Sequence, residues 1–540
     1  MLRRKASRAL IFAGFVIGAM CAATSQQKHE VAQNARPMQE VRVQSGRVQG
    51  VAVDDLVVYR GIPFATPPVG DLRWRAPQPT ARWANTLDAT AFKPACMQSG
   101  PTLPGMMEDY SEDCLYLNIW SPAKVADQKL AVMVYIYGGG GLSGSGSARL
   151  FWGDKLAKDG VVVVTINYRV GALGWLAHPE LTKEAGTSGN YGLLDIVAAL
   201  RWVRANISVF GGDPGNVTLF GQSGGAYQES ALMVCPAARG LFRRVIAESG
   251  GEFGTEARHD SAFRPLAQAE QAGVDYLKRL GASTIAEARR LPADKIVALD
   301  SAMSKDHVSA LQLNIDGHLI PAEVRALYSK GEQAPVDLLV GSNADEGINP
   351  AFGPPEPAAA YTADLGARYG DFADRFLQLY PATSDAEAEQ SQLRLHSDEV
   401  SWRMVSWGRF QSKRRVGHVY IYRFATVPPF APWGTLHAAG HGAELPYVFG
   451  FPPVELLQKF EPADKAALHA RIERDIQSYW TNFAKTGDPN GLGLPVWPAF
   501  DEKQEQILNM GDTFAATELP NRPALALLDA YHDSGKARTD

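Results

Sequence analysis

Residues 221–225 read GQSGG, and this G-x-S-x-G pattern can present the hydroxyl of Ser223 as a nucleophile. The pattern follows an apolar run, residues 217–220, that favours a β-strand, and it precedes a helix-compatible segment, residues 227–234. In that context the glycines permit a sharp strand-to-helix turn, and the start of the helix favours developing negative charge. A plain glycine-rich turn is the alternative, because the chain contains 51 glycines.

Serine is a weak nucleophile by itself and needs a base that is oriented by an acid. In hydrolases with this pattern, the acid and then the histidine follow the serine along the chain. Residues 343–347, NADEG, come after a strand-like run and offer Asp345 and Glu346 as the acid. Residues 440–444, GHGAE, offer His441 as the base, with His437 as its near competitor. The residues alone do not choose within either pair.

Residues 138–141 are four glycines that follow the apolar run 130–137. Consecutive glycines expose backbone N–H groups and let a substrate approach closely, as the stabilisation of a tetrahedral oxyanion requires. The N–H of Gly224, directly after the serine, would complete such a set of donors. A flexible loop and a phosphate cradle are the alternatives, and no Gly-Lys-Ser/Thr sequence follows to support the cradle.

The elements that must position these residues follow from the hydrophobic pattern. The runs 130–137 and 161–166 are apolar without alternation, as in strands of a parallel sheet that are buried on both faces. Residues 193–207 have apolar positions at helical spacing. This alternation of strand and helix predicts a doubly wound, mostly parallel α/β sheet. Residues 255–310 and 355–415 are predicted as helical insertions, either as a cap over the site or as padding outside the sheet.

No internal repeat or low-complexity linker divides the chain, so we expect residues 41–535 to form a single domain. Residues 1–23 have four basic residues and then an uncharged stretch that ends in small residues, which is typical of a secretory signal. We therefore expect a secreted or periplasmic protein; an N-terminal membrane anchor and a lipid anchor on Cys21 are the alternatives. Residues 24–40 are polar and aperiodic, and we expect a flexible segment there.

Composition places the chain among soluble globular proteins, with 46% hydrophobic and 21% charged residues. The formal net charge is −5, and it becomes −9 without residues 1–23. Because binding to nucleic acid needs clustered Lys and Arg, we expect no nucleic-acid partner. Zinc-type cysteine spacing is absent from the sequence, and we expect no metal.

Several segments between about residue 41 and residue 531 resemble the type-B carboxylesterase family, which includes the cholinesterases. Those segments are GIPFA at 61–65, SEDCLYLN at 111–118, FGGDP at 210–214, VTLFGQS at 217–223 and HGAELPY at 441–447. The resemblance implies an α/β-hydrolase fold and a hydrolase that needs no cofactor.

The resemblance also implies roles for individual residues. Ser223 would be the nucleophile, Glu346 the acid and His441 the base, which favours Glu346 over Asp345 and His441 over His437.

Further residues of the site follow from the same resemblance. Gly139, Gly140 and Gly224 would supply the oxyanion N–H groups, and Ser249 and Glu444 would support the triad from behind.

The cysteines bear on both compartment and fold. Cys96 and Cys114 are close in sequence and could form a disulfide in an oxidising compartment. The resemblance implies this disulfide. Cys235 lies in an apolar stretch, and we expect it to be a small buried residue rather than a nucleophile.

The chain departs from the family pattern near the serine. Gln222 stands where the family usually has Glu, Gly224 where it usually has Ala, and Gly141 where it often has an aromatic residue. Gln222 removes a negative charge that would favour cationic substrates, and the segment 96–114 contains no Trp to bind a quaternary ammonium group. These departures argue against choline esters.

Taken together, the sequence predicts a serine hydrolase that cleaves carboxylic esters through an acyl-enzyme on Ser223. Its partners would be a small-molecule ester and water, and we expect a bulky or apolar ester of an uncharged alcohol. An amidase or carbamate hydrolase with the same triad is the nearer alternative. A non-catalytic, cholinesterase-like binding domain is the more distant one.

Overall fold

The computed structural model describes residues 38–98, 109–255, 261–305, 313–349, 353–429, 438–451 and 463–534. The expected signal at 1–23, with Cys21, and most of the expected flexible segment at 24–40 lie outside the described residues. His437 lies outside them as well.

One large sheet of eleven strands organises the described part of the chain. In chain order the strands are β1 Val51–Val53, β2 Leu56–Pro63, β3 Tyr116–Ser121, β4 Leu130–Ile136, β5 Val162–Ile166, β6 Gly212–Gln222, β7 Arg244–Glu248, β8 Asp337–Asn343, β9 Val419–Phe424, β10 Gln506–Met510 and β11 Phe514–Glu518. Across the sheet they lie in the order β11-β10-β9-β8-β7-β6-β4-β5-β3-β2-β1. The neighbouring strands from β5 and β4 through β6 to β10 pair in parallel, whereas the strands at both ends of the sheet pair antiparallel.

Helices cover this sheet. In chain order they are α1 Asp154–Lys158, α2 Gly171–Trp175, α3 Pro179–Ala185, α4 Tyr191–Asn206, α5 Gly224–Val234, α6 Leu266–Leu280, α7 Ile285–Arg290, α8 Ala293–Lys305, α9 Val324–Ser329, α10 Ala358–Tyr369, α11 Ala373–Leu379, α12 Asp385–Lys413, α13 Leu445–Phe449, α14 Ala463–Thr486 and α15 Arg522–Asp533. Short 3₁₀ turns lie at Gly70–Leu72, Arg149–Phe151, Ile207–Phe210, Pro236–Ala238 and Gly370–Phe372. Three small sheets join Glu40–Val43, Gly46–Gln49 and Leu87–Asp88; Ala95–Cys96 and Tyr110–Ser111; and Arg264–Pro265 and Asn314–Ile315.

The apolar runs explain the centre of the sheet. β4 and β5 are neighbours in parallel register, with Val134 opposite Val164, and all of their residues after Leu130 are buried. Strands covered on both faces need apolar side chains at successive positions, which is the pattern that predicted them. The predicted helix at 193–207 is confirmed as α4, and its buried Asp195 pairs with Arg169 at 2.8 Å.

The two predicted insertions are helical. In the second, the long helix α12 packs on β8 and β9, so this helix covers a face of the sheet rather than forming a cap. In the first, α8 packs on α2, and Asp300 Oδ2 accepts the N–H of Ala172 at 2.8 Å. The chain therefore has a doubly wound, mostly parallel sheet, as the sequence predicts.

Two predictions about cysteines are confirmed. Cys96 and Cys114 form a disulfide across 18 residues of sequence separation, and Cys235 is a free thiol with 0% of its surface exposed. Among the helices of the described ranges, none is long and apolar enough to cross a membrane.

The parallel strands deliver polar residues to one edge of the sheet. β6 ends at Gln222, whose neighbour in register on β7 is Glu248, and Glu248 in turn pairs with Gly341 of β8. Because the carboxyl ends of parallel strands meet at the same edge, the loops after β6, β7 and β8 build one site.

Candidate active site

The chain turns sharply at Ser223, at this edge of the sheet. Ser223 lies between β6 and α5 with φ 55° and ψ −119°, a backbone conformation that side-chain-bearing residues rarely adopt. Its N–H donates to Glu248 O at 2.8 Å, and its carbonyl accepts the N–H of Tyr227 at 3.1 Å. Such a residue costs about 1–3 kcal/mol and persists only where its surroundings hold it in place.

Glycines around the turn let the backbones come close. A Cβ on Gly225 would lie 2.0 Å from Ile136 O, so α5 can begin here only if that position has no side chain. A Cβ on Gly138 would lie 3.1 Å from the Cβ of Ser223. The glycine loop therefore packs directly against the serine, as the donor arrangement requires.

That loop is held by its own contacts. A Cβ on Gly224 would lie 3.0 Å from Gly140 N and 3.3 Å from Gly141 N, so these amides lie beside Gly224. Gly141 O accepts the indole N–H of Trp175 at 2.7 Å, and Gly139 O accepts the N–H of Leu142 at 3.0 Å. The structure thus brings Gly140 to Gly224, and Gly139 forms the turn that precedes them.

Glu346 and His441 meet in the protein interior. His441 Nδ1 lies 2.5 Å from Glu346 Oε2, and the two side chains are 12% and 0% exposed. The other oxygen, Oε1, accepts the N–H of Asn343 at 2.7 Å, so both carboxylate oxygens are engaged. This pairing places the proton of a neutral imidazole on Nδ1 and leaves Nε2 as an acceptor.

Opposing effects act on the pKa of His441. Burial of the ring lowers the pKa, but the charge of Glu346, its hydrogen bond and the charge of Glu444 together raise it by more. The pKa of His441 therefore lies above its ordinary value. A carboxylate that stabilises the imidazolium in this way makes the ring a stronger base.

The second ring nitrogen lies next to the serine turn. Gln222 Nε2 is 3.1 Å from His441 Nε2, and its N–H donates to that nitrogen when the ring is neutral. Gln222 precedes Ser223 in the chain, so this contact ties the imidazole to the nucleophile turn. Gln222, expected near the site, is a direct neighbour of His441.

Asp345, the alternative acid that the sequence offered beside Glu346, has a different structural role. Its backbone N–H donates to Ala439 O, and its Oδ2 accepts the N–H of Ala439, both at 3.0 Å. His441 N in turn donates to Ile348 O at 3.2 Å. Asp345 therefore fixes the loop that carries His441, whereas Glu346 contacts the ring itself.

A second layer of polar residues lies behind this pair. The side-chain amide of Asn343 donates to Glu444 Oε2 and, at 2.7 Å, to Gly440 O. Glu444 is 1% exposed, and burial raises its pKa to about 7, with the charge of Glu346 acting in the same direction. Glu444 thus reaches the triad residues through Asn343.

Ser249 supports the turn through its backbone. It has φ 54°, and its N–H donates to Gly341 O at 2.8 Å. The next residue, Gly250, approaches so closely that a Cβ on it would lie 2.4 Å from Ser223 O. The expected supporting position is therefore adjacent to the nucleophile turn.

The described residues include no group of three or more His, Cys, Asp or Glu side chains that could hold a metal ion. The chemistry that these residues offer is nucleophilic and acid–base: a hydroxyl on a strained turn, a buried imidazole–carboxylate pair and a loop of backbone donors.

Comparisons with known proteins show the family of this chain. A profile described as "Carboxylesterase family" matches residues 37–527. Fumonisin B1 esterase of Sphingopyxis macrogoltabida is 37% identical over 506 residues, which cover 90% of this chain and 89% of that protein. Para-nitrobenzyl esterase of Bacillus subtilis (strain 168) is 36% identical over 485 residues, which cover 87% and 94%. A solved structure of a PNB esterase superposes with a TM-score of 0.79 at 32% identity and covers 91% of this chain and 99% of its own.

The chain belongs to the carboxylesterase family. It therefore has the α/β-hydrolase fold and is a serine hydrolase of carboxylic esters.

The sequence did not predict the roles of two residues near the site of this carboxylesterase. Asn343 holds both Glu346 and Glu444, although in the sequence it resembles an ordinary turn-forming residue at a strand end. Glu248 is 0% exposed and accepts the indole N–H of Trp480 at 2.7 Å. Burial raises the pKa of Glu248 well above its ordinary value, and the charge of Glu444 raises it further. Position at the end of a parallel strand was the one available signal for both.

The raised pKa of Glu444 makes the stability of this carboxylesterase depend on pH. The ordinary pKa of 4.5 applies to the unfolded chain, so between pH 4.5 and about pH 7 the folded protein keeps a proton that the unfolded chain loses. The free energy of unfolding therefore falls as pH rises through this window, by about 3 kcal/mol at most. Glu444→Gln removes this titrating carboxyl group, so the variant lacks the fall that Glu444 causes in wild type. We expect the free energy of unfolding of the variant minus that of wild type to rise by about 1–3 kcal/mol from pH 4.5 to about pH 7.

Denaturant unfolding at about pH 5 and about pH 7.5 measures this difference. Glu502→Gln is the matched control, because Glu502 is exposed and the substitution makes the same change of charge. Parallel behaviour of Glu444→Gln, Glu502→Gln and wild type would contradict the prediction.

Proposed function

We propose that this carboxylesterase forms its acyl-enzyme on Ser223, with His441 as the general base and Glu346 as the acid that orients it. The observation that carries the proposal is the 2.5 Å contact of His441 Nδ1 with the buried Glu346, while Nε2 lies beside the residue that precedes Ser223. An imidazole held from one side by a carboxylate can take a proton on the other side.

In the first half of the reaction, His441 Nε2 takes the hydroxyl proton of Ser223 as Oγ attacks the ester carbonyl carbon. Glu346 stabilises the imidazolium that forms. The tetrahedral intermediate then collapses, and His441 returns the proton to the oxygen of the departing alcohol. The acyl group stays on Ser223 as an ester.

In the second half, a water molecule takes the place of the alcohol. His441 removes a proton from the water as the water oxygen attacks the acyl carbonyl carbon. His441 then protonates Ser223 Oγ as that oxygen leaves. The products are the carboxylic acid and the free enzyme.

The negative oxygen of each tetrahedral intermediate would be held by the backbone N–H groups of Gly139, Gly140 and Gly224. The approach of Gly140 N to Gly224 supports this set of donors. A single donor of this kind contributes about 3 kcal/mol to the stability of the transition state.

The substrate that we propose is a bulky or apolar ester of an uncharged alcohol. Gln222 supports an uncharged alcohol, because its neutral amide lies beside His441, where a carboxylate would attract a cation. The relatives named for fumonisin B1 and para-nitrobenzyl esters make those compounds the first to test. A panel of esters graded by acyl and alcohol size, with a matched amide, then separates esterase from amidase activity.

We also propose that residues 41–535 form one catalytic domain and that residues 1–23 direct its export, as a secreted or periplasmic enzyme. The disulfide between Cys96 and Cys114 supports an oxidising compartment. Detection of mature enzyme that begins after Ala23 in the periplasm or medium tests the export.

Ser223→Ala removes the proposed nucleophile, and we expect turnover of para-nitrophenyl acetate to fall by about 10⁴-fold or more. A fluorophosphonate probe should add one label to wild type and none to this variant, as measured by intact mass. Ser329→Ala is the control, since Ser329 is exposed and lies on α9. Labelling or full turnover in Ser223→Ala would rule out the assignment of the nucleophile.

Gln222→Glu places a negative charge beside His441 Nε2. The charge stabilises the imidazolium, so the pKa of His441 rises and the acid limb of the pH–rate profile moves upward by about one pH unit. The same charge attracts a cation, so the ratio of kcat/KM for a choline ester to that for its uncharged dimethylbutyl analogue should rise by about tenfold.

The exposed Gln504 provides the control, because Gln504→Glu adds an equal charge at the protein surface. We expect Gln504→Glu to leave both the acid limb and the substrate ratio at their wild-type values. Equal shifts in the two variants, or none in Gln222→Glu, would refute the proposed influence of Gln222.

A further inference from the structure

A cleft of about 890 Å³ lies at the amino ends of the central strands, on the edge opposite the active site. Val217 of β6, Arg243 just before β7 and Val336 just before β8 line it. The same strands reach the active site at their other ends, and from Val217 to Gln222 β6 spans about 16 Å. A ligand in this cleft would therefore not compete with an ester at Ser223.

The cleft is strongly basic. Arg204, Arg239, Arg243 and Arg414 line it, against one carboxylate, that of Glu332. No carboxylate oxygen of the described residues lies within 4.0 Å of any of these four guanidinium groups. Because the whole chain carries a net charge of −5, these positive charges are concentrated at one place on an otherwise acidic protein. We call the four arginines and the residues around them the basic cleft.

Two of the arginines are anchored by hydrogen bonds to backbone carbonyl groups. Arg204 Nη1 donates to Gly240 O at 2.5 Å, and Arg414 Nη1 donates to Gln333 O. Each guanidinium has five N–H donors, so most of them remain available for a ligand after these bonds. Arg239 and Arg243 are exposed and line the same cleft.

Four like charges within one cleft repel each other unless an anion neutralises them. The planar N–H fork of arginine matches phosphate and carboxylate oxygens, and it binds them with charge-assisted hydrogen bonds. Leu241, Phe242 and Pro335 add an apolar wall. A ligand with adjacent anionic groups and an apolar portion fits this lining. A long nucleic acid does not, because the charge beyond the cleft is negative overall.

We propose that the basic cleft binds a small ligand with two or more phosphate groups, at a site separate from the catalytic one. The phosphates are held by Arg239 and Arg243 together with the anchored Arg204 and Arg414. Free oligophosphates and phospholipid headgroups with more than one phosphate, such as that of cardiolipin, share this chemistry, and the experiment below distinguishes them.

Calorimetric titration with inorganic tripolyphosphate tests the proposal, with inorganic monophosphate as the comparison. We expect wild type to bind tripolyphosphate at least about tenfold more tightly than monophosphate, with an affinity that decreases as salt increases. The double variant Arg239→Ser/Arg243→Ser should lose at least about tenfold in affinity.

Arg42→Ser/Arg82→Ser is the matched control, because these two exposed arginines lie outside the cleft and the change in charge is the same. The control should bind like wild type, and all proteins should keep wild-type ester turnover and melting temperature. Binding to cardiolipin-containing vesicles that is lost in Arg239→Ser/Arg243→Ser identifies a lipid headgroup as the source. Absence of vesicle binding, with tripolyphosphate binding retained, identifies a free oligophosphate.

Three results would overturn the proposal: no saturable binding of tripolyphosphate to wild type, equal loss of affinity in the two double variants, or competition between tripolyphosphate and the ester. Tighter binding of a DNA duplex than of tripolyphosphate would overturn the assignment to a small ligand. The ester assay in the same proteins keeps failure of this proposal distinct from failure of the catalytic one.

Discussion

The carboxylate of Glu346 lies fully buried, where an unpaired charge would cost several kcal/mol. It stays in place because the N–H of Asn343 and the ring N–H of His441 each bind one of its oxygens. That pairing orients the imidazole and raises the pKa of His441. It also affects the neighbouring acid, because the charge of Glu346 adds to burial in raising the pKa of Glu444. A single buried charge thus acts to raise the pKa of both His441 and Glu444.

The parallel sheet makes this arrangement available and separates it from the basic cleft. At the carboxyl ends of β6 and β8 lie Ser223, on its strained turn, and the loop that carries Glu346. Close backbone approach holds the turn, since a Cβ on Gly225 would meet Ile136 O at 2.0 Å. Near the amino ends of the same strands lie the four arginines of the basic cleft, which form no ion pair with a carboxylate in the part of the chain that the structure describes. The two edges therefore offer opposite chemistry: nucleophilic catalysis at one and anion binding at the other.

Those parts of the fold and of the site that a local sequence pattern determines could be predicted. Uninterrupted apolar runs predicted β4 and β5, and the strand before Ser223 with the helix after it predicted the turn. The acid was not predictable from local pattern, because Asp345 and Glu346 are adjacent and only the fold turns Glu346 toward the ring. Asn343 escaped because an amide at a strand end is ordinary in sequence. The basic cleft escaped because its arginines are spread over two hundred residues and meet only through the topology.

The most direct test of the pairing between His441 and Glu346 is the proton NMR resonance of the His441 Nδ1–H. A short hydrogen bond moves this resonance far downfield of the backbone amides. Comparison of wild type with Glu346→Gln and Asp345→Asn distinguishes the two adjacent acids. We predict that the resonance is present in wild type and in Asp345→Asn, where the loop contact to Ala439 can still form, and that it is lost in Glu346→Gln. A resonance that survives in Glu346→Gln and disappears in Asp345→Asn would contradict the pairing of Glu346 with His441.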